Sequence, residues 1–333
     1  MYFHPRLLSI LTTRRCTAAC DHCCIGSSPT QTQAIPVARI HGLIDEATRI
    51  PTIEKIVFTG GECFLLGRAL DELVAHATAQ ALGTRVITNG YWAVDDRSAR
   101  RRVETLAAAG LGEMMISTGT FHERFVPVTR VASAARAAAD AGVLVRLAIE
   151  TCDQSTFDER GLLDELAEQI AAQRIVVGHD PWTTDAGRRG EATLSHEQML
   201  AAEPDRAHGR CNLLFNVVSV TPAQDLNACC GFPQEQLPRM RLGSVADRSL
   251  ADVLDQAPPE LLKMWIHTDG PAAIGAFIAK YVPGFELPRV ASICELCVAL
   301  QRSEVAMHVL GEHAGDVASD VASRFARLHA ARA

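Results

Sequence analysis

No apolar run in this chain is long enough to cross a membrane as a helix. The first residues, Met1 to Pro5, lack the charged and apolar regions of a secretory signal. Positive charge is not in excess either. The 32 basic residues face 39 acidic ones, and the formal charge of −7 argues against a general nucleic-acid binder. The basic clusters Arg14-Arg15, Arg100-Arg101-Arg102 and Arg188-Arg189 are short and read as solvated loop or helix faces. Low-complexity segments are missing, and no repeat shows beyond an alternation of strands and helices. What is present is a chain of 333 residues, 48% hydrophobic and 21% charged, enough for a large domain with a sizeable core. Its 11 cysteines, without an export signal, favour metal ligation over disulfides and predict a cytoplasmic protein.

From Leu7 to about Val177, short apolar runs alternate with amphipathic stretches. Strands are expected at Leu7–Thr13, Lys55–Thr59, Thr84–Thr88, Glu113–Ser117, Leu144–Glu150 and Arg174–Val177. Helices are expected near Pro36–Arg49, Gly67–Ala81, Asp96–Ala109, Pro127–Ala141 and Phe157–Ile170, stopping at glycines such as Gly83, Gly110 and Gly142. Six strand-then-helix units predict an α/β fold with a parallel sheet and outer helices, too few for an eight-unit barrel. The expected domain plan is a core over 1–180 and a linker or lid over 181–210. A cysteine-rich region with a strand at Val217–Val220 occupies 211–300, and a C-terminal helix occupies 301–333, its pattern beginning near Val298.

Cys16, Cys20 and Cys23 follow the first strand with the spacing Cys-x3-Cys-x2-Cys. Three thiolates on one loop can ligate three irons of a [4Fe-4S] cluster and leave one iron open. The alternative is zinc, with Cys24 or His22 as fourth ligand. Thr59-Gly60-Gly61-Glu62 follows the second strand; two glycines allow close backbone approach and positive φ. Cys63 comes next and reads as a buried small residue. Later strands end in Thr88-Asn89-Gly90, Ser117-Thr118-Gly119 and Glu150-Thr151, polar ends that also suit helix caps.

This set resembles the radical S-adenosylmethionine (radical SAM) superfamily over about the first 180 residues. The resemblance implies a (β/α)6 partial barrel whose open iron chelates the amino and carboxylate groups of S-adenosylmethionine. It implies cofactor contacts at His22 beside the adenine, at Gly60, Gly61 and Glu62 around the amino group, and at Thr88, Asn89 and Ser117 around ribose and carboxylate. Glu150 would bond the ribose hydroxyls. The family usually has proline where Cys63 stands. The implied chemistry is one-electron cleavage to a 5′-deoxyadenosyl radical that takes hydrogen from carbon, with flavodoxin or ferredoxin as electron donor.

Cys211, Cys229, Cys230, Cys294 and Cys297 form a second set. The passage Leu242-Gly243-Ser244-Val245, then Ser249 to Leu254, resembles SPASM and twitch domains, which carry auxiliary iron–sulfur clusters. The resemblance implies a small twitch-like region. One auxiliary [4Fe-4S] cluster is expected on Cys211, Cys294, Cys297 and one of Cys229 or Cys230, with a zinc knuckle as the alternative. The spare thiol is either a hydrogen donor to a substrate radical or a buried small hydrophobe. Cys152 is a further candidate donor, and Cys24 shares the ambiguity. The segment Thr120 to Pro127 is either a substrate contact or a helix-entry staple.

The expected function is hydrogen abstraction from a ribosomally made peptide, leading to epimerisation, a thioether or a crosslink. The alternative is a dehydrogenase, dehydratase or ring-forming enzyme acting on a sugar, aminocyclitol or nucleotide. A third reading is a non-enzymatic iron- or zinc-binding redox protein. Only fifteen residues precede Cys16, so no separate leader-binding domain is expected ahead of it. Neither nucleic acid nor membrane is expected as a partner.

Overall fold

The computed structural model describes residues 4–151, 157–181, 209–230, 237–290 and 292–330. Cys152 and most of the expected linker lie outside the described residues. The first half is built of β1 (Leu7–Leu11), α1 (Val37–Ala47), β2 (Lys55–Thr59), α2 (Arg68–Ala79), β3 (Gly83–Thr88) and α3 (Asp96–Ala108). It continues through β4 (Glu113–Gly119), the short α4 (Thr120–Glu123), α5 (Val128–Asp140), β5 (Leu144–Thr151), α6 (Glu159–Glu165), α7 (Ala167–Ala171) and β6 (Ile175–Pro181). Strands β1 to β6 pair in chain order and in parallel. This is the (β/α)6 partial barrel.

Alternation along each strand divides the side chains between two faces. Leu8, Ile10, Ile56, Phe58, Val86, Met114, Ile116, Val145 and Leu147 are fully buried in one core. The helices meet that core with apolar residues at three- and four-residue intervals, such as Ile40, Leu43, Ile44 and Ala47 on α1 and Leu70, Leu73, Val74 and Ala77 on α2. The intervening strand positions, including Ser9, Val57, Arg85, Ile87 and Ser117, face an internal cavity.

The sheet does not stop at six strands. β7 (Val217–Val220) pairs in parallel with β1, and β8 (Asp225–Asn227) and β9 (Arg241–Ser244) follow it antiparallel. The cysteine-rich region therefore continues the main sheet, whose edges among the described residues are β6 and β9. Beyond it lie α8 (Leu250–Gln256), α9 (Leu261–Thr268) and α10 (Gly270–Ile278).

The expected C-terminal helix is broken into α11 (Ile293–Arg302), α12 (Glu304–His313) and α13 (Ala318–Ala330). The first break is Ser303, whose extended backbone lets its hydroxyl accept from Ala306 N and cap α12. Gly110 and Gly142, with positive φ, close α3 and α5 as expected. Gly83 does not close α2; Ala81 takes the left-handed conformation, φ 60°, and Gly83 opens β3. No helix among the described residues is long and apolar enough to cross a membrane.

Candidate active site

Cys16, Cys20 and Cys23 lie on the loop after β1, against the turn that follows β2. The two are tied by backbone: Thr12 N donates to Thr59 O (2.8 Å), Gly61 N to Thr13 O (2.6 Å) and Glu62 N to Arg15 O (3.0 Å). A Cβ on Gly61 would lie 2.2 Å from the Arg15 carbonyl oxygen. One on Gly60, where φ is 130°, would lie 2.5 Å from that of Thr13. The paired glycines are thus required by the cysteine loop itself. All three thiols and both glycines line one cavity of about 320 Å³, within the range that holds small-molecule ligands.

Two of the three thiols, Cys16 and Cys23, already have donors. Ala18 N points at Cys16 Sγ (3.4 Å), Ser27 N at Cys23 Sγ (3.3 Å) and Asn89 Nδ2 at Cys16 Sγ (3.7 Å). Burial pushes the Cys16 thiol up to about 11 and Cys20 further still. Buried thiols of this kind ionise only beside a compensating positive charge, which bound iron supplies.

Asn89, Thr88 and Ser117, at the ends of β3 and β4, line the same cavity, as does His22. His22 stacks on Phe121 (centroids 5.0 Å apart) and meets His122 edge-on at 4.8 Å. Burial, with His122 nearby, lowers its pKa to about 3, so the ring is neutral. The ligating atoms of Cys20, His22 and His122 lie within 4.8 Å of one another.

The two acids expected at the cofactor are placed differently. Glu62 is fully buried and does not line the cavity. Its Oε1 accepts from Phe64 N (3.0 Å) and its Oε2 from Asn89 N (2.9 Å), while Thr88 Oγ1 sits 2.9 and 3.0 Å from the two oxygens. These bonds brace the glycine turn against β3. Burial pushes its carboxyl up to about 7, against the pull of these donors. Glu150 is likewise buried. Its Oε1 accepts from Phe121 N (2.6 Å) and His122 N (3.1 Å), and its Oε2 from His122 Nδ1 (2.5 Å). It fixes α4 and the His122 ring.

His122 itself lines the cavity, as does Arg85. Neither was singled out by sequence alone, although His122 lies in the flagged segment Thr120 to Pro127. The signal for Arg85 is an arginine inside the apolar run Thr84–Thr88, at a position that alternation turns inward. Its guanidinium pairs with Glu113, which also holds Lys55.

The Radical SAM superfamily model matches residues 10–146, the span from β1 into β5 that contains the cysteine loop, the glycine turn and the strand ends. The chain carries a radical SAM domain. A curated relative, "Putative peptide biosynthesis protein YydG" of Bacillus subtilis (strain 168), is 28% identical over 175 residues. That match covers 52% of this chain and 54% of the relative, so the alignment spans about half of each. Among solved structures, native anSMEcpe with bound AdoMet and Cp18Cys peptide aligns over 95% of this chain and 99% of its own. Its TM-score is 0.50 at 11% identity, a likeness of fold. BtrN in complex with AdoMet and 2-DOIA aligns over 75% of this chain and 81% of its own, at TM-score 0.43 and 17% identity. Radical SAM proteins bind a [4Fe-4S] cluster and S-adenosylmethionine. The three thiols, the amides aimed at their sulfurs and the adjoining cavity fit that pair of groups.

The second cysteine set lines two cavities. Cys211, Cys229, Cys294 and Cys297 line one small apolar cavity, with Met240 and Ile266 among its other walls. Cys230 lines the large cavity, which also holds Cys16, Cys20 and Cys23 on its wall. Burial pushes Cys229 and Cys294 well up, Cys297 to about 12 and Cys230 to about 11. Leu214 N points at Cys211 Sγ (3.4 Å) and Gln301 Nε2 at Cys297 Sγ (3.1 Å). His267 Nδ1 donates to the Cys211 carbonyl (3.0 Å). Cys24 also lines the large cavity, whereas Cys63 is buried in the core with its thiol 3.3 Å from Ile87 O.

Proposed function

We propose that this radical SAM protein is a cytoplasmic peptide-modifying enzyme that inverts an α-carbon, with Cys230 as hydrogen donor. The observation that carries the reading is the division of the Cys229-Cys230 doublet. Cys229 faces the other three thiols of its set, while Cys230 shares the large cavity with the first three cysteines. The similarity to a relative named for peptide biosynthesis supports a peptide substrate. The remaining four thiols are assigned to an auxiliary [4Fe-4S] cluster in a twitch-like region, and an acidic carrier of flavodoxin or ferredoxin type to electron supply.

When bound, the first cluster and S-adenosylmethionine supply a 5′-deoxyadenosyl radical that takes a hydrogen atom from carbon. Cys16, Cys20 and Cys23 hold the cluster, and the Gly60-Gly61 turn keeps their loop in place. Ser117, Thr88, Asn89 and His22 form the polar end of the cavity, where the nucleoside binds. Leu7, Leu11, Val57, Leu213 and Val217 form an apolar wall that excludes water from the target carbon. Cys230 then gives its S–H hydrogen atom to the carbon radical: the S–H bond breaks and a C–H bond forms on the opposite face. The sulfur left behind returns to the thiol on taking up one electron from the carrier and one proton from solvent.

The test is to incubate the reconstituted enzyme, a chemical reductant and S-adenosylmethionine with short peptides encoded beside its gene, in deuterated water. Thiol hydrogens exchange with solvent, so epimerised product carries one deuterium at the inverted carbon. A product that has lost two hydrogens, or none of whose carbons takes up deuterium, contradicts the epimerase reading and favours a crosslink.

A further inference from the structure

The auxiliary assignment leaves one polar side chain unexplained. Gln301 lies one helical turn after Cys297 on α11, and its Nε2 is 3.1 Å from Cys297 Sγ. Its Oε1 is buried and has no hydrogen-bond partner among the described residues. A buried amide oxygen without a partner costs free energy that an apolar residue of the same length would not, and such groups call for a reason. Among the described residues the amide's hydrogen-bond partner is the sulfur. Cys297 is buried and lines the small apolar cavity with Met240, Ile266 and Ile293, so a hydrogen bond to its thiolate is little screened.

We infer that Gln301 tunes the auxiliary centre: its amide N–H donates to the Cys297 thiolate and holds the reduction potential of that centre above the value the four thiolates alone would give. Hydrogen bonds to cluster sulfurs are among the levers that set iron–sulfur potentials. Reduction adds negative charge to the cluster and its sulfurs, so a donor aimed at one of them stabilises the reduced form more than the oxidised one. The inference rests on the auxiliary-cluster reading above. Gln301 is a positioning and tuning residue here; it touches no substrate.

The experiment uses the full chain with Cys16, Cys20 and Cys23 replaced by alanine, so that one centre reports. The protein is reconstituted anaerobically with iron and sulfide and titrated electrochemically, with the reduced cluster read by electron paramagnetic resonance. Q301M keeps the length and packing but removes the donor. It is expected to shift the reduction equilibrium about tenfold toward the oxidised form, which is about 59 mV more negative for a one-electron couple. Q301E, which adds negative charge beside the sulfur, shifts it further, and Q301N, with the amide on a shorter stem, shifts it less. Q301M and Q301E that hold iron at an unchanged potential overturn the role of Gln301 alone. A parent chain that binds no iron overturns the auxiliary centre, and this inference with it.

Discussion

Gly61 leaves no room for a side chain, because the carbonyl oxygen of Arg15 lies where a Cβ would go. Gly61→Val therefore acts on the cysteine loop first. It is expected to displace Cys16 and its neighbours and to lose the iron of the first cluster, while the iron of the second remains. Iron and sulfide analysis checks this, and a G61V protein with all its iron in place would contradict the loop's dependence on that contact. Glu62, one residue on, gives a prediction in pH. Its folded pKa of about 7 lies above the ordinary 4.5, so the folded chain keeps a proton there that the unfolded chain releases. The stability it contributes is complete below about pH 4.5 and is lost as the pH rises to about 7. The loss is on the order of 3 kcal/mol. Urea midpoints of iron-free wild type and Glu62→Gln, compared across that window, should diverge with pH; a constant difference would count against a buried, titrating Glu62.

The elements with a strong period were the ones the sequence made legible. The six parallel strands lie within a few residues of their expected positions, because each apolar run was bounded by turn residues and the first five were followed by amphipathic helices. β7 was expected at the residues it occupies, but not its pairing with β1, since partner choice is a long-range property that no local pattern carries. The helices between Leu250 and Ile278 were missed, although Ser249 and Asp252 form a reciprocal capping box that could have marked the first. The stop of α2 went to Gly83 by the usual preference for glycine, whereas Ala81 takes the left-handed turn. An L-residue there costs about 1–2 kcal/mol that glycine does not, and glycine gives back about 0.5–1 kcal/mol as extra freedom of the unfolded chain. Ala81→Gly should therefore stabilise the fold by up to about 1.5 kcal/mol, seen as a higher urea midpoint. A lower midpoint would mean that the turn is not left-handed in solution.

At the scale of the molecule, one sheet links the first cysteine loop to the doublet: the loop follows β1, and β7 beside it leads through β8 to Cys229 and Cys230. The cysteines were legible as two groups, and the doublet was expected to give one ligand and one spare thiol. Which one could not be read from spacing, because adjacent residues point to opposite sides only once the backbone conformation is fixed. The bonds of the acids were less legible still: Glu62 and Glu150 stand at strand ends, and both accept from backbone amides that the sequence does not place. The central claim is that the doublet serves two cavities, with Cys229 on the auxiliary centre and Cys230 free in the large one. Iron content of anaerobically reconstituted Cys229→Ser and Cys230→Ser tests it most directly. C230S should retain about eight irons per chain, as in wild type, and C229S only about four; equal iron in the two variants, or the loss falling on C230S, would contradict the account.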